Sequence, residues 1–140
     1  MSEKDGKNWG KIEDINTLDV SSLGPASGIS KRIIFGPDCF WEDWAARHFI
    51  IEPGNAVSMH SHDWEHLSIS LAGHGAFAVE GEPDYDMPAG SWARIPAGVK
   101  HSFKNIGDEP FVFLCIVPTH GDPHALRASM RKKRAERKQA

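Results

Sequence analysis

Turn signals interrupt this 140-residue chain at close intervals, and that limits it to short elements. Gly36-Pro37, Pro53-Gly54, Gly73-His74-Gly75 and Pro96-Ala97-Gly98 each close a short apolar run, and the polar stretch at residues 105–110 closes another. Glycine supplies backbone conformations that other residues resist, and proline removes a donor and fixes φ. With 13 glycines and 9 prolines placed this way, short strands and turns are favoured over long helices.

Between these turns the runs read as strands at residues 31–35, 45–52, 56–60, 64–71, 75–81, around 85–87, 92–95, 101–105 and 111–117. Residues 39–44 carry two tryptophans and read as a strand edge or as a loop packed on the core. Residues 12–20 read as a short turn or strand, and residues 21–30 have loop composition. Residues 111–117 form a continuous apolar strand, the best core strand in the chain. Eight or more short strands at close spacing predict an all-β barrel or sandwich. In residues 64–71 Leu67, Ile69 and Leu71 share one face, and His66, Ser68 and Ser70 share the other. That small polar face either meets water on a half-buried strand or lines a wet site; the histidine at its head favours the second.

Residues 54–73 hold three histidines within seven positions: His60, His62 and His66. On an extended strand His60 and His62 point to the same side, and a bend lets His66 join them. Imidazole suits zinc, copper, iron and nickel, so the spacing points to a metal site rather than to three surface side chains. A fourth histidine, His101, follows the Pro96-Ala97-Gly98 turn. The remaining histidines, His48, His74, His120 and His124, have no ligand spacing, although His48 can line the barrel if its strand face is inward.

Charge is divided unevenly. Residues 127–140 hold seven of the 16 Lys and Arg and one of the 19 Asp and Glu, a local +6, which leaves residues 1–126 at −9 and the whole at −3. An acidic body is not a nucleic-acid-binding surface, and the basic run Arg131-Lys132-Lys133-Arg134 reads as a solvated helix end. From His124 onward helix is the expected order, with too few apolar residues for firm docking. Residues 1–11 are polar, read as a frayed end, and lack the apolar core of a signal peptide; no run reaches the length of a membrane span. Cys39 and Cys115 show no C-x-x-C spacing, and Cys115 sits in an apolar run as a small buried residue. A cytoplasmic protein is expected. The organisation expected is an N-terminal arm at residues 1–30, a barrel at 31–120 and a basic C-terminal tail at 121–140.

Two stretches together resemble the paired motifs of the cupin superfamily. The first motif is a glycine, five residues, H-x-H, three or four residues, a glutamate, six residues and a glycine; Gly54, His60, His62 and Gly73 stand at those places. The second is a glycine, five residues, P-x-G, two residues, a histidine, three residues and an asparagine; Gly90, Pro96, Gly98, His101 and Asn105 match it without a gap. The resemblance implies a cupin-type, jelly-roll-like β-barrel, with a short basic C-terminal helix or tail appended. It implies one divalent metal ion inside, held by His60, His62, the residue at the glutamate position and His101, and it also implies a homodimer.

The chain departs from the motif at the glutamate. His66 has the motif's spacing on both sides, and Glu65 is one residue early. A shift of one on a strand turns a side chain to the opposite face, so His66 is preferred over Glu65 as third ligand. Four neutral histidines cancel none of a divalent ion's charge, which favours anionic substrate oxygens. Iron or manganese is favoured, with nickel, copper and zinc accepting the same donors. The function expected is a metal-dependent dioxygenase or lyase acting on a small oxygenated or anionic molecule, and the alternative is a non-catalytic ligand-binding or sensing module. Ser68 and Ser70 are candidates to line the pocket, and Arg94 joins them if it points inward. Trp64 and Phe103 read as packing.

Overall fold

The computed structural model describes residues 12–21 and 27–139. The expected frayed end at residues 1–11 and the middle of the loop at 21–30 lie outside the described residues. Among the described residues a 3₁₀ turn at Ile15–Thr17, capped by Asp14, leads into nine strands: β1 (Val20–Ser21), β2 (Ile29–Phe35), β3 (Trp44–Ile51), β4 (His66–Ala72), β5 (His74–Val79), β6 (Tyr85–Pro88), β7 (Trp92–Ile95), β8 (His101–Asn105) and β9 (Phe111–Pro118). A second 3₁₀ turn, Thr119–Gly121, precedes the helix α1 (Pro123–Gln139). The strands form two antiparallel sheets, ordered β1-β2-β3-β9-β4-β7 and β6-β5-β8. The all-β architecture matches the expectation from turn spacing, and its jelly-roll-like form with a short C-terminal helix matches what the cupin resemblance implied.

The sheets face each other across an aromatic core. Phe103 of β8 stacks on Phe113 of β9 with ring centroids 4.8 Å apart, and Phe113 stacks on Phe49 and Phe111 at 5.1 and 4.8 Å. β9 alternates buried and half-buried along its length, so Phe111, Phe113, Cys115 and Val117 point inward. Its central place between β3 and β4 agrees with its apolar sequence. Gly73, at the tight β4–β5 turn, has φ 77°, and a Cβ there would stand 2.1 Å from the carbonyl oxygen of Pro110. Only glycine meets both demands. Asn105 fastens the same end of the barrel: its Nδ2 donates to the carbonyls of Ile51 and Glu109, and its Oδ1 accepts from Gly107 N–H, each at 2.8 Å.

Three local expectations are corrected. Residues 56–60 form two isolated bridges, Ala56 to Lys104 and His60 to His101, rather than a regular strand. Four steps on one side span three on the other, so one extra residue interrupts the ladder. The strand read at 64–71 begins at His66, because residues 61–65 form the loop that carries His62 inward. For residues 39–44 two readings were open: residues 39–43 take the loop, joined by bridges from Gly36 to Cys39 and Phe40, and Trp44 opens β3. The first two turns of helix α1 dock more firmly than composition suggested, through the buried small residues Ala125, Ala128 and Ser129, whereas residues 130–139 are exposed, as expected of a solvated helix end.

Candidate metal centre

The four histidines come from four places and lie close together. His60 lies on the irregular segment bridged to β8, and its N–H and C=O pair with those of His101 at 2.9 and 2.8 Å. His62 sits on the loop before β4, where its carbonyl accepts from Gly98 N–H at 2.7 Å. Gly98 has φ 84°, so the turn of the second motif directly supports the first. His66 opens β4 and His101 opens β8.

Ligand nitrogens of His60, His62 and His101 all lie within 4.8 Å of one another. The ring of His66 stands beside this trio, its centroid 4.9 Å from that of His62 and 4.8 Å from that of His101. His60 and His62 are half-buried, and His101 and His66 are buried, so the cluster runs inward from an accessible rim. The tight group thus contains three of the four histidines, with His66 as its deeper neighbour.

Hydrogen bonds to the rings fix how they can act. His60 Nδ1 is 2.7 Å from the Ser58 carbonyl oxygen, His62 Nδ1 is 3.0 Å from that of Trp64, and His101 Nδ1 is 2.7 Å from that of Val99. A carbonyl only accepts, so each Nδ1 carries the proton and each Nε2 keeps a free lone pair. This is the arrangement by which ligand imidazoles are oriented. His101 Nε2 and both nitrogens of His66 are buried without a protein partner. Buried polar atoms are normally satisfied, so these nitrogens fit an ion at this point. Burial holds His66 and His101 down to about 4, with the Arg47 charge adding at His66, and it also lowers His62. All three are therefore neutral at pH 7, the form in which imidazole binds metal. The donor set fits a divalent transition metal.

Glu65 and Arg94 lie elsewhere. Glu65 is partly exposed and ion-paired with Arg94 Nη2 at 2.6 Å, and both side chains are substantially exposed on the outside. The pocket role considered for Arg94 is corrected by that pairing, and the face argument that set Glu65 aside agrees with its position. Ser68 and Ser70 are 1% exposed and face inward behind His66, while Leu67, Ile69 and Leu71 are on the outer face. The polar face of β4 therefore lines the interior. His48 alternates with Arg47 and Phe49 and takes the other face of β3.

Sequence reading passed over three contributors. Arg47 lies inside the large sheet, donating through Nη2 to Cys115 Sγ at 3.0 Å. Lys31 and Asp122 form a buried ion pair at 2.6 Å, which Arg47 joins at 3.2 Å. Alternation along residues 45–52 puts Arg47 with Phe49, but which face is inward follows only from the register. A cleft of about 270 Å³ lies on the outside between α1 and the turn at Gly36 to Cys39, flanked by Arg127 and Arg131. His124 lines it, but none of the four clustered histidines and neither inward serine does, so the chemistry locates the site away from it.

A sequence profile of the cupin domain matches residues 47–117, just over half of the chain. The chain belongs to the cupin family. It is 34% identical over 71 residues to the oxalate decarboxylase OxdC of Bacillus subtilis, a match covering 47% of this chain and 18% of that protein. Among solved structures, this cupin superposes on the polyketide cyclase RemF from Streptomyces resistomycificus with a TM-score of 0.69 at 19% identity, covering 77% of this chain and 78% of that one. It superposes on a predicted oxalate decarboxylase from Thermotoga maritima with a TM-score of 0.66 at 18% identity, covering 77% and 98%. At these identities the structures establish the shared fold. Among the described residues no helix is long and apolar enough to cross a membrane.

Proposed function

We propose that this cupin is a mononuclear metal enzyme, a lyase or dioxygenase acting on a small oxygenated anion, with His60, His62, His66 and His101 as ligands. The observation that carries the reading is the set of three Nδ1 hydrogen bonds that leave three Nε2 lone pairs free beside a buried, unpartnered His66. A divalent ion held by neutral imidazoles supplies Lewis acidity toward anionic substrate oxygens. The chain's own groups do the rest. Trp64 and the Ser58 and Val99 carbonyls orient the rings. Phe77 and Phe103 pack beside His101, with centroids 5.9 and 6.2 Å away, and form an apolar wall there. Ser68 and Ser70 offer hydroxyls on the inner wall. Similarity to a protein named oxalate decarboxylase supports a small carboxylate as the substrate class and lyase chemistry ahead of oxygen chemistry. Iron or manganese is the favoured ion, followed by nickel, copper and zinc. The partners are this small molecule and a second copy of the chain, and the compartment is the cytoplasm.

The test is elemental analysis of the purified protein after loading with manganese or iron(II), repeated on variants. His101→Ala and His66→Ala should each lose most of the metal, and Glu65→Ala should retain it. The four-histidine assignment falls if Glu65→Ala loses metal while His66→Ala keeps it. Loaded protein that neither releases carbon dioxide from oxalate nor takes up oxygen with small diketones would be a ligand-binding module instead.

A further inference from the structure

Two cations share one carboxylate inside the barrel. Asp122 Oδ2 accepts from Lys31 Nζ at 2.6 Å and from Arg47 Nη1 at 3.2 Å, while its Oδ1 accepts the N–H groups of His124 and Ala125. The three side chains are 5%, 11% and 0% exposed for Lys31, Arg47 and Asp122. Lys31 with Asp122 would already be a neutral pair and would already cap α1. Arg47 adds a net +1 that this group leaves unbalanced, and burying such a charge is costly. Its remaining partners are a long bond from Nε to the Cys115 carbonyl at 3.4 Å, the Cys115 thiol 3.0 Å from Nη2, and the Phe49 ring, whose centroid lies 5.1 Å from the guanidinium carbon. A guanidinium has five N–H bonds, and its three hydrogen bonds leave two for something else.

The register shows where that charge is presented. Arg47 pairs with Cys115 and Cys115 pairs with Ser68, so the three lie side by side across β3, β9 and β4. Ser68 Oγ and Ser70 Oγ are buried without a protein partner. His66 precedes Ser68 by two residues on the same face, about 7 Å along the strand. Arg47 thus stands in one row with a buried, unpartnered hydroxyl, two residues along β4 from His66.

We propose that Arg47 and Ser68 anchor one carboxylate of the substrate, whose other oxygens face the histidines. This rests on the metal-enzyme reading for the second half of the contact and stands independently for the first. The ligand class is a small carboxylate or dicarboxylate. The planar guanidinium fork grips one carboxylate by charge-assisted bonds, and the Ser68 hydroxyl donates to it.

Calorimetric titration with oxalate, and with the neutral diamide oxamide as control, tests this on metal-free and manganese-loaded full-length protein. Wild type should bind oxalate and not oxamide, with or without manganese. Arg47→Met should weaken oxalate binding by at least about tenfold, Ser68→Ala should weaken it severalfold, and both should keep wild-type manganese content. A folded Arg47→Met that binds oxalate as tightly as wild type overturns the proposal, as does a wild type that binds neither oxalate nor malonate. If Arg47→Met fails to fold, Arg47→Lys and Ser68→Ala decide: weakened oxalate binding supports the anchor, and unchanged binding in both overturns it. Protein that takes up no metal yet binds oxalate through Arg47 sinks the metal reading and leaves the anchor; normal manganese content with oxalate binding indifferent to Arg47 does the reverse.

Discussion

Trp64 holds His62 from two directions. Its indole lies parallel to the imidazole at 4.5 Å between centroids and 4° between planes, and its own carbonyl takes the Nδ1 proton. Gly121 stands behind it, where a Cβ would come within 2.7 Å of the indole Nε1. Trp64→Ala keeps the carbonyl but frees the ring to rotate. It should lower metal affinity by about 10–100-fold, the range for lost support of a ligand, with the fold retained. Competition against a chelating dye measures this, and an unchanged affinity would mean the backbone bond alone positions His62. The opposite facing of His66 and Glu65 was legible because strand alternation is a local rule: His66 is buried, and Glu65 lies outside against Arg94. Arg47 was not legible, because one charged residue in an apolar run has no assigned face until β9 and β4 supply the register.

Helix α1 is attached to the barrel through its cap. Asp122 precedes Pro123, a favourable pair for starting a helix, and its side chain accepts the N–H groups of His124 and Ala125. The same carboxylate binds Lys31 and Arg47 from β2 and β3. Burial alone would raise its pKa, but the Lys31 hydrogen bond, the Ala125 N–H and the two cationic charges together bring it below 3.8. A folded pKa below the unfolded one means stability that is full above about pH 4 and lost as pH falls through the folded value. Wild type should therefore lose stability steeply below pH 4. Asp122→Asn should be less stable at pH 7 and flatter across that acid window, by denaturant unfolding at stepped pH; parallel profiles would remove Asp122 as the cause. Most strands were readable at this scale, since β9 and β4 carry clear apolar or alternating patterns. The segment at 56–60 was not, because an inserted residue leaves the pattern intact while breaking the ladder. The docking of α1 was missed because its buried stripe is alanine and serine, which carry little hydropathy.

The outer face of the large sheet is a problem for an isolated barrel. Leu67, Ile69, Leu71 and Trp92 are 38%, 41%, 45% and 76% exposed on β4 and β7. They are continuous with Leu114 and Ile116 of β9, which pair in register with Ile69 and Leu67. The inward side of β4 is polar, so this strand shows its apolar side to solvent, the reverse of a one-sided sheet. A contiguous apolar patch on a sheet marks an interface. In the proposed dimer a two-fold axis would present the same apolar patch from both sides. Ile69→Lys with Trp92→Lys should convert a dimer to a monomer in sedimentation velocity. Metal content should not change, because Ile69 and the inward Ser68 and Ser70 lie on opposite faces of the same strand. A wild type that sediments as a monomer at about 100 μM, well above the Kd of ordinary stable dimers, would leave this face to another partner.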